Sequence, residues 1–240
     1  MKQINEGWEI IFQRAHGMLA AQIAFHLHKK LRPSRWVETL LAIAEHDDSQ
    51  LDFSGKEHIT ASGAPLNFKM KDINLFQPKA NSDHAFQKSR WINLLNSLHI
   101  SFLYENNKGA NNDLDKILEK EKKKQSELIR DLNITPKIAT DSYRLLEWCD
   151  SLSLLLCQDL LQPEERKMEI SKGANNIIHQ IWQRKTDQSL VVEPWCFEQT
   201  SFEVIVESRV LSQLQFKDDA ELKTKLLDAN VKENTWTFRK

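Results

Sequence analysis

The 240-residue chain predicts an α+β, mainly α fold: a helical bundle over residues 1–172 and a small C-terminal antiparallel β appendage over 173–240. Apolar residues recur at helical spacing through long runs between residues 8 and 161. After Gly173 the period shortens from 3.6 towards 2, the signature of strands. Six Gly, six Pro and 40% hydrophobic residues fit a sizeable, largely helical core.

Residues 8–31 form the first expected helix, with Ile11, Ala15, Leu19, Ile23 and Leu27 inward. Leu31-Arg32-Pro33-Ser34 stops it, because the residue before proline is driven out of the helical region, and Ser34 can cap the next helix. That helix, 34–48, is expected to bury Val37, Leu40, Leu41 and Ala44. From Leu51 to Pro78 periodicity fails amid Gly55, Gly63, Pro65 and Pro78, so a lid-like insertion is expected at 51–78, with His58 in solvent. Residues 80–106 resume as one helix, and 113–131 as a charged one whose Glu119–Lys124 run is a solvated face. Helix 138–161, after Pro136, is the most apolar and the expected centre. Strands are expected at 176–184, 188–193, 201–209 and 234–239, with a helix at 218–229 opened by Asp218-Asp219.

A net charge of −1 offers nothing for nucleic acid or a membrane surface to recognise. No apolar run approaches the roughly 20 residues that span a bilayer. The first residues lack a secretory h-region, and Cys149 and Cys157, eight apart on one expected helix, are too far apart (~12 Å) for a disulfide. A reducing cytoplasm is therefore the expected compartment.

Against this background, four ionisable residues sit where apolar ones belong. Asp47 continues the face of Ile43 and Ala44, and His16 shares a stripe with Phe12, Leu19, Ala20 and Ile23. His99 lies among Ile92, Leu95, Phe102 and Leu103, and Asp150 lies one turn from Leu146 and from Leu154. A single such residue is ordinarily a satisfied core group. Four on four helices, all of metal-ligating type, point to a common centre. His46 adjoins Asp47. His99 is preferred to His84 because the neighbours of His84 are mostly polar. Imidazoles and carboxylates together suit one or two ions of Mn, Fe, Ni or Zn better than Mg or Ca. Asp47 could bridge two ions, and Glu45 or Asp48 could act as a base beside it or simply face water. No Gly-rich phosphate loop, GxSxG elbow or HExxH motif competes.

An early His, a His-Asp pair on the next helix and an Asp on a late central helix resemble the order in HD-domain metal-dependent phosphohydrolases, through His16, His46-Asp47 and Asp150. The text is also similar to an uncharacterised bacterial family with an HD-like helical core. That similarity lies in the segment from His16-Gly17 to Ala24, in Glu45-His46-Asp47-Asp48, Ser97-Leu98-His99, Cys149-Asp150-Ser151 and Glu193-Pro194-Trp195-Cys196-Phe197. The resemblance implies hydrolysis of a phosphoester in a small-molecule substrate. Many catalytic HD proteins carry a cation soon after the His-Asp pair; here Asp48-Ser49-Gln50 follows, and Lys56 is the first. That departure favours the alternative, a catalytically silent ligand-sensing or scaffold module.

Overall fold

The computed structural model describes residues 1–48, 58–67, 70, 76–173 and 176–240. Half of the expected lid-like insertion at 51–78, Lys56 included, lies outside the described residues.

The chain opens with two short strands, β1 (Lys2–Ile4) and β2 (Gly7–Ile10), before helix α1 (Gln13–Phe25). Then come α2 (Trp36–Glu45), α3 (Phe76–Phe86), α4 (Arg90–Tyr104), α5 (Asn112–Asp131) and α6 (Pro136–Cys157). Strands β3 (Met168–Lys172), β4 (Ile178–Gln183), β5 (Leu190–Glu193) and β6 (Ser201–Leu211) follow, with α7 (Asp219–Leu227) before β7 (Asn230–Arg239).

All seven strands join one sheet in the order β1-β2-β6-β7-β5-β4-β3. Pairing is antiparallel throughout except between β5 and β7, which meet in parallel at Leu190 and Phe238. This overturns the helical bundle with a small β appendage: the fold is α+β with a seven-stranded mixed sheet drawn from both ends of the chain. Gly7-Trp8-Glu9-Ile10 is strand, not the start of a helix, because β6 runs on to Leu211 and offers it an edge. Gly7 permits the approach, since a Cβ there would stand 1.7 Å from the Leu211 carbonyl oxygen. The β6–β7 ribbon is also longer than expected, with ten paired positions from Ser201–Arg239 to Val210–Asn230.

Helices α1, α2, α4 and α6 share one core with this sheet, joining Leu19, Ile23, Ile43, Trp91, Leu146 and Trp148 to Ile181, Val192, Val204 and Phe238. Gln22 of α1 bonds Ile205 of β6 as another strand would: its amide nitrogen donates to the carbonyl at 2.8 Å, and its oxygen accepts from the N–H at 3.0 Å.

Three helices depart from expectation. In α2 the buried face is Thr39, Ala42 and Ile43, whereas Val37 is 70% and Leu41 45% exposed. Thr39 can be buried because its hydroxyl donates to the Arg35 carbonyl and accepts from Trp91 Nε1. The run 80–106 breaks after Phe86, and α4 starts afresh where Ser89 accepts from the Ile92 N–H. On α5, Glu121 is not solvated: it is buried and pairs with Lys124 at 2.5 Å.

A candidate metal centre in the helical layer

Four helices bring their ionisable residues to one place, starting from the contact of α1 with α2. A Cβ on Gly17 would lie 2.5 Å from the Ala44 carbonyl oxygen, so only glycine lets the helices approach this closely. The neighbouring His16 is thereby set against His46, their rings edge to face with centroids 4.9 Å apart. His46 follows the last residue of α2, where carbonyls lose their helical partners. Its Nδ1–H donates to one of these, the Ile43 oxygen, at 2.7 Å. That bond fixes the neutral tautomer and leaves the Nε2 lone pair facing the cluster.

Asp47 comes in on the turn after α2, and Gln13 Nε2 donates to its Oδ2 at 3.2 Å. Asp150 projects from the middle of α6. His16 Nε2 lies 3.2 Å from His46 Nε2, 3.1 Å from Asp150 Oδ1 and 3.5 Å from Asp47 Oδ2. His46 Nε2 lies 3.2 Å from Asp150 Oδ1 and 3.7 Å from Asp47 Oδ2. His99 of α4 closes the far side, its ring centroid 5.1 Å from that of His46, with Nδ1 3.3 Å from the Tyr143 hydroxyl. Two buried groups of metal-ligating type result, His16–His46–Asp47 and His46–His99–Asp150, sharing His46.

Ligand atoms about 2.1 Å from a shared transition ion stand roughly 3.0–3.4 Å apart in octahedral or tetrahedral arrangements. The separations of His16 and His46 from each other and from Asp47 and Asp150, 3.1 to 3.7 Å, fall in or near that range. The donor set fits such an ion.

The electrostatics also favour a cation. Burial opposes charge on His46, but the Asp47 and Asp150 carboxylates outweigh it and hold the imidazole up at about 10. Burial works against the Asp150 carboxylate too, yet the His46 charge and the bonds from both histidines hold its carboxyl far below the usual range. Burial, assisted by the charge on His46, takes His99 down to about 4 and keeps it a neutral donor. Two carboxylates carry a formal charge of −2, which one imidazolium offsets by half and a divalent ion balances. His16 Nδ1 is buried without a hydrogen-bond partner among the described residues.

The other expected residues lie beside the centre. Glu45 forms an ion pair with Lys88. Burial and the neighbouring Glu45 push the Asp48 carboxyl up. Both border a small cavity with His84, Lys88 and Asn96, and neither Glu45, Asp48 nor His84 belongs to the two groups. His58 is buried rather than in solvent, its N–H donating to Asp219 Oδ1 at 2.9 Å.

Sequence reasoning missed Gln13, Tyr143 and Lys88. Tyr143 carried a signal, since it stands two turns before Asp150 on the stripe that includes Leu146. Lys88 carried none while 80–106 read as a single helix. The three cysteines are free, and no helix among the described residues is long and apolar enough to cross a membrane.

Residues 1–213 match the model of a family described as protein of unknown function (DUF3891). No curated protein and no solved structure matches the chain.

Proposed function

Because the chain belongs to that family of unknown function, we propose from its own geometry an HD-like, metal-dependent hydrolase of phosphoesters. The observation that carries the proposal is the convergence of His16, His46, Asp47 and Asp150, from three helices and a turn, on one buried spot. His16, His46 and Asp47, with Asp150 and His99 across the shared His46, would hold a divalent ion of Mn, Fe, Ni or Zn. When bound, the ion supplies an acidified water and polarises a phosphoryl oxygen.

The chain's own residues prepare the place. The Ile43 carbonyl fixes the His46 tautomer, and Gln13 orients the Asp47 carboxylate. Burial, with Glu147 and Asp150 nearby, pushes the Tyr143 phenol far up, so the hydroxyl that faces His99 keeps its proton. Asp48, with its raised carboxyl, is the candidate to exchange a proton beside the centre, and Lys88 is the nearby cation that could meet a phosphate.

One observation favours the second reading, a silent sensing or scaffold module. Among the described residues the cavity at Asp48 and Lys88 is only about 20 Å³, roughly room for one water.

Elemental analysis of protein purified without chelators, with hydrolysis of bis(p-nitrophenyl) phosphate, separates the two. We expect one or two ions per chain, lost in Asp150→Ala and retained in Asp48→Ala, with hydrolysis abolished in the first and slowed in the second. Metal without hydrolysis of this or other phosphoesters selects the silent module. No metal, even after reconstitution, rejects both metal and hydrolase.

A further inference from the structure

On the other side of α6 from Asp150 lies a cavity of about 270 Å³ that the metal centre does not use. Two residues apart on a helix means about 200° of rotation, so Trp148 faces this cavity while Asp150 faces the centre. The walls come from the end of α1 and the turn after it, from α6, and from the Pro194-Trp195 turn. Leu31, Leu145, Trp148, Ile177, His179 and Trp195 line it, and the exposed wall is mostly apolar.

Three features say what it would hold. The Trp148 and His179 rings stand 5.1 Å apart, and Trp195 adds a third ring, so the lining suits a flat hydrophobic body. Trp148 is 2% exposed, yet among the described residues its indole N–H has no acceptor, and a buried indole ordinarily finds one. Beside His28 of the lining, the Glu198 carboxylate accepts from the Lys29 backbone N–H at 3.2 Å and faces His28 Nε2 at 3.8 Å. Lys30 lines the same cavity, is exposed, and among the described residues pairs with no carboxylate. A cation at the rim and an orphan donor in the wall both ask for acceptor atoms. The volume lies just under the usual range for small-molecule sites, about 300–1,000 Å³.

We infer that this cavity binds a small aromatic carboxylate of one or two rings, separately from the metal centre. The ring system lies among Trp148, His179 and Trp195, and the carboxylate meets Lys30.

Titration of the intact protein with naphthalene-2-carboxylate, followed by calorimetry and tryptophan fluorescence, tests this. Saturable binding is expected to survive chelation of metal and to weaken by about tenfold or more in Lys30→Glu, a change at an exposed position. Trp148→Phe, with its fold checked by circular dichroism, should weaken it while keeping an aromatic ring. Naphthalen-2-ylmethylammonium should bind at least about tenfold less tightly. The inference fails if no saturable binding occurs, or if the ammonium compound binds as well. It also fails if Lys30→Glu leaves the affinity unchanged, or if chelation abolishes binding, which would place the acid at the His/Asp centre.

Discussion

At the residue scale, a proton and the proposed metal ion would compete for one lone pair. With Nδ1 committed to the Ile43 carbonyl, His46 can accept either only at Nε2, between two carboxylates. In the metal-free protein the proton occupies that position, and the folded-state value of about 10 stands well above the unfolded 6.5. A raised value means stability that is complete below about pH 6.5 and is lost as pH rises to 10. The metal-free protein should therefore melt at progressively lower temperature from pH 7 to pH 10. Bound metal displaces the proton, so its affinity should rise over the same interval. Thermal melts with and without metal should diverge as pH increases; parallel curves would show that His46 does not contact the ion. Much of this centre was legible in the sequence, because an ionisable group on an apolar stripe conflicts with its surroundings wherever it stands. The tautomer of His46 and the support from Gln13 were not, since they depend on a helix end and a neighbouring helix meeting in space.

Elements explain how those residues are held in register, and the buried Gly17 is the point of that arrangement most sensitive to substitution. Its missing side chain lets α1 lie against the backbone of α2 at Ala44. Gly17→Ala would ordinarily gain helix propensity, up to about 1 kcal/mol. Here the added methyl meets a carbonyl oxygen at 2.5 Å, and a backbone atom cannot rotate away. The helices must part, and overpacking of this kind costs about 1–3 kcal/mol. We expect a lower melting temperature together with weaker metal binding, because His16 and His46 separate as α1 moves. Unchanged metal affinity in a folded Gly17→Ala protein would show that the ligands follow the helices without loss. The same element scale shows why the first strand pair was hidden. Ile10, Ile11, Ala15 and Leu19 continue a helical spacing without interruption, and only Asn5 in the turn and Gly7 just after it mark the β1–β2 hairpin. Likewise α2 was rotated in expectation because Thr39, polar by composition, is buried through Trp91, a partner 52 positions away.

For the whole molecule, the sheet is a wall of the core that also contains the helices of the candidate metal centre. Local periodicity could not show this, since the size of the sheet follows from pairings between the two ends of the chain, such as Trp8 with Leu211. The consequence concerns the boundary expected between residues 172 and 173. Phe202, Val204 and Val206 of β6, with Phe238 of β7, lie in the same buried cluster as Leu19 and Ile23 of α1. Ile181, Val192 and Phe197 join them beside Leu146 and Trp148 of α6. Burying a side chain of this kind contributes about 1.5–3 kcal/mol. Seven together amount to on the order of 10 kcal/mol, as large as the net stability of an ordinary domain, about 5–15 kcal/mol. A chain ending at Lys172 would also leave β2 without β6, the strand that pairs Trp8, Glu9 and Ile10. We therefore expect the 1–172 fragment to show no cooperative thermal unfolding, to be degraded readily by protease, and to bind no metal at the stoichiometry of the full chain. A fragment that melts cooperatively and keeps the metal would show that the helices carrying His16, His46, His99 and Asp150 close a core of their own, with the sheet added outside it.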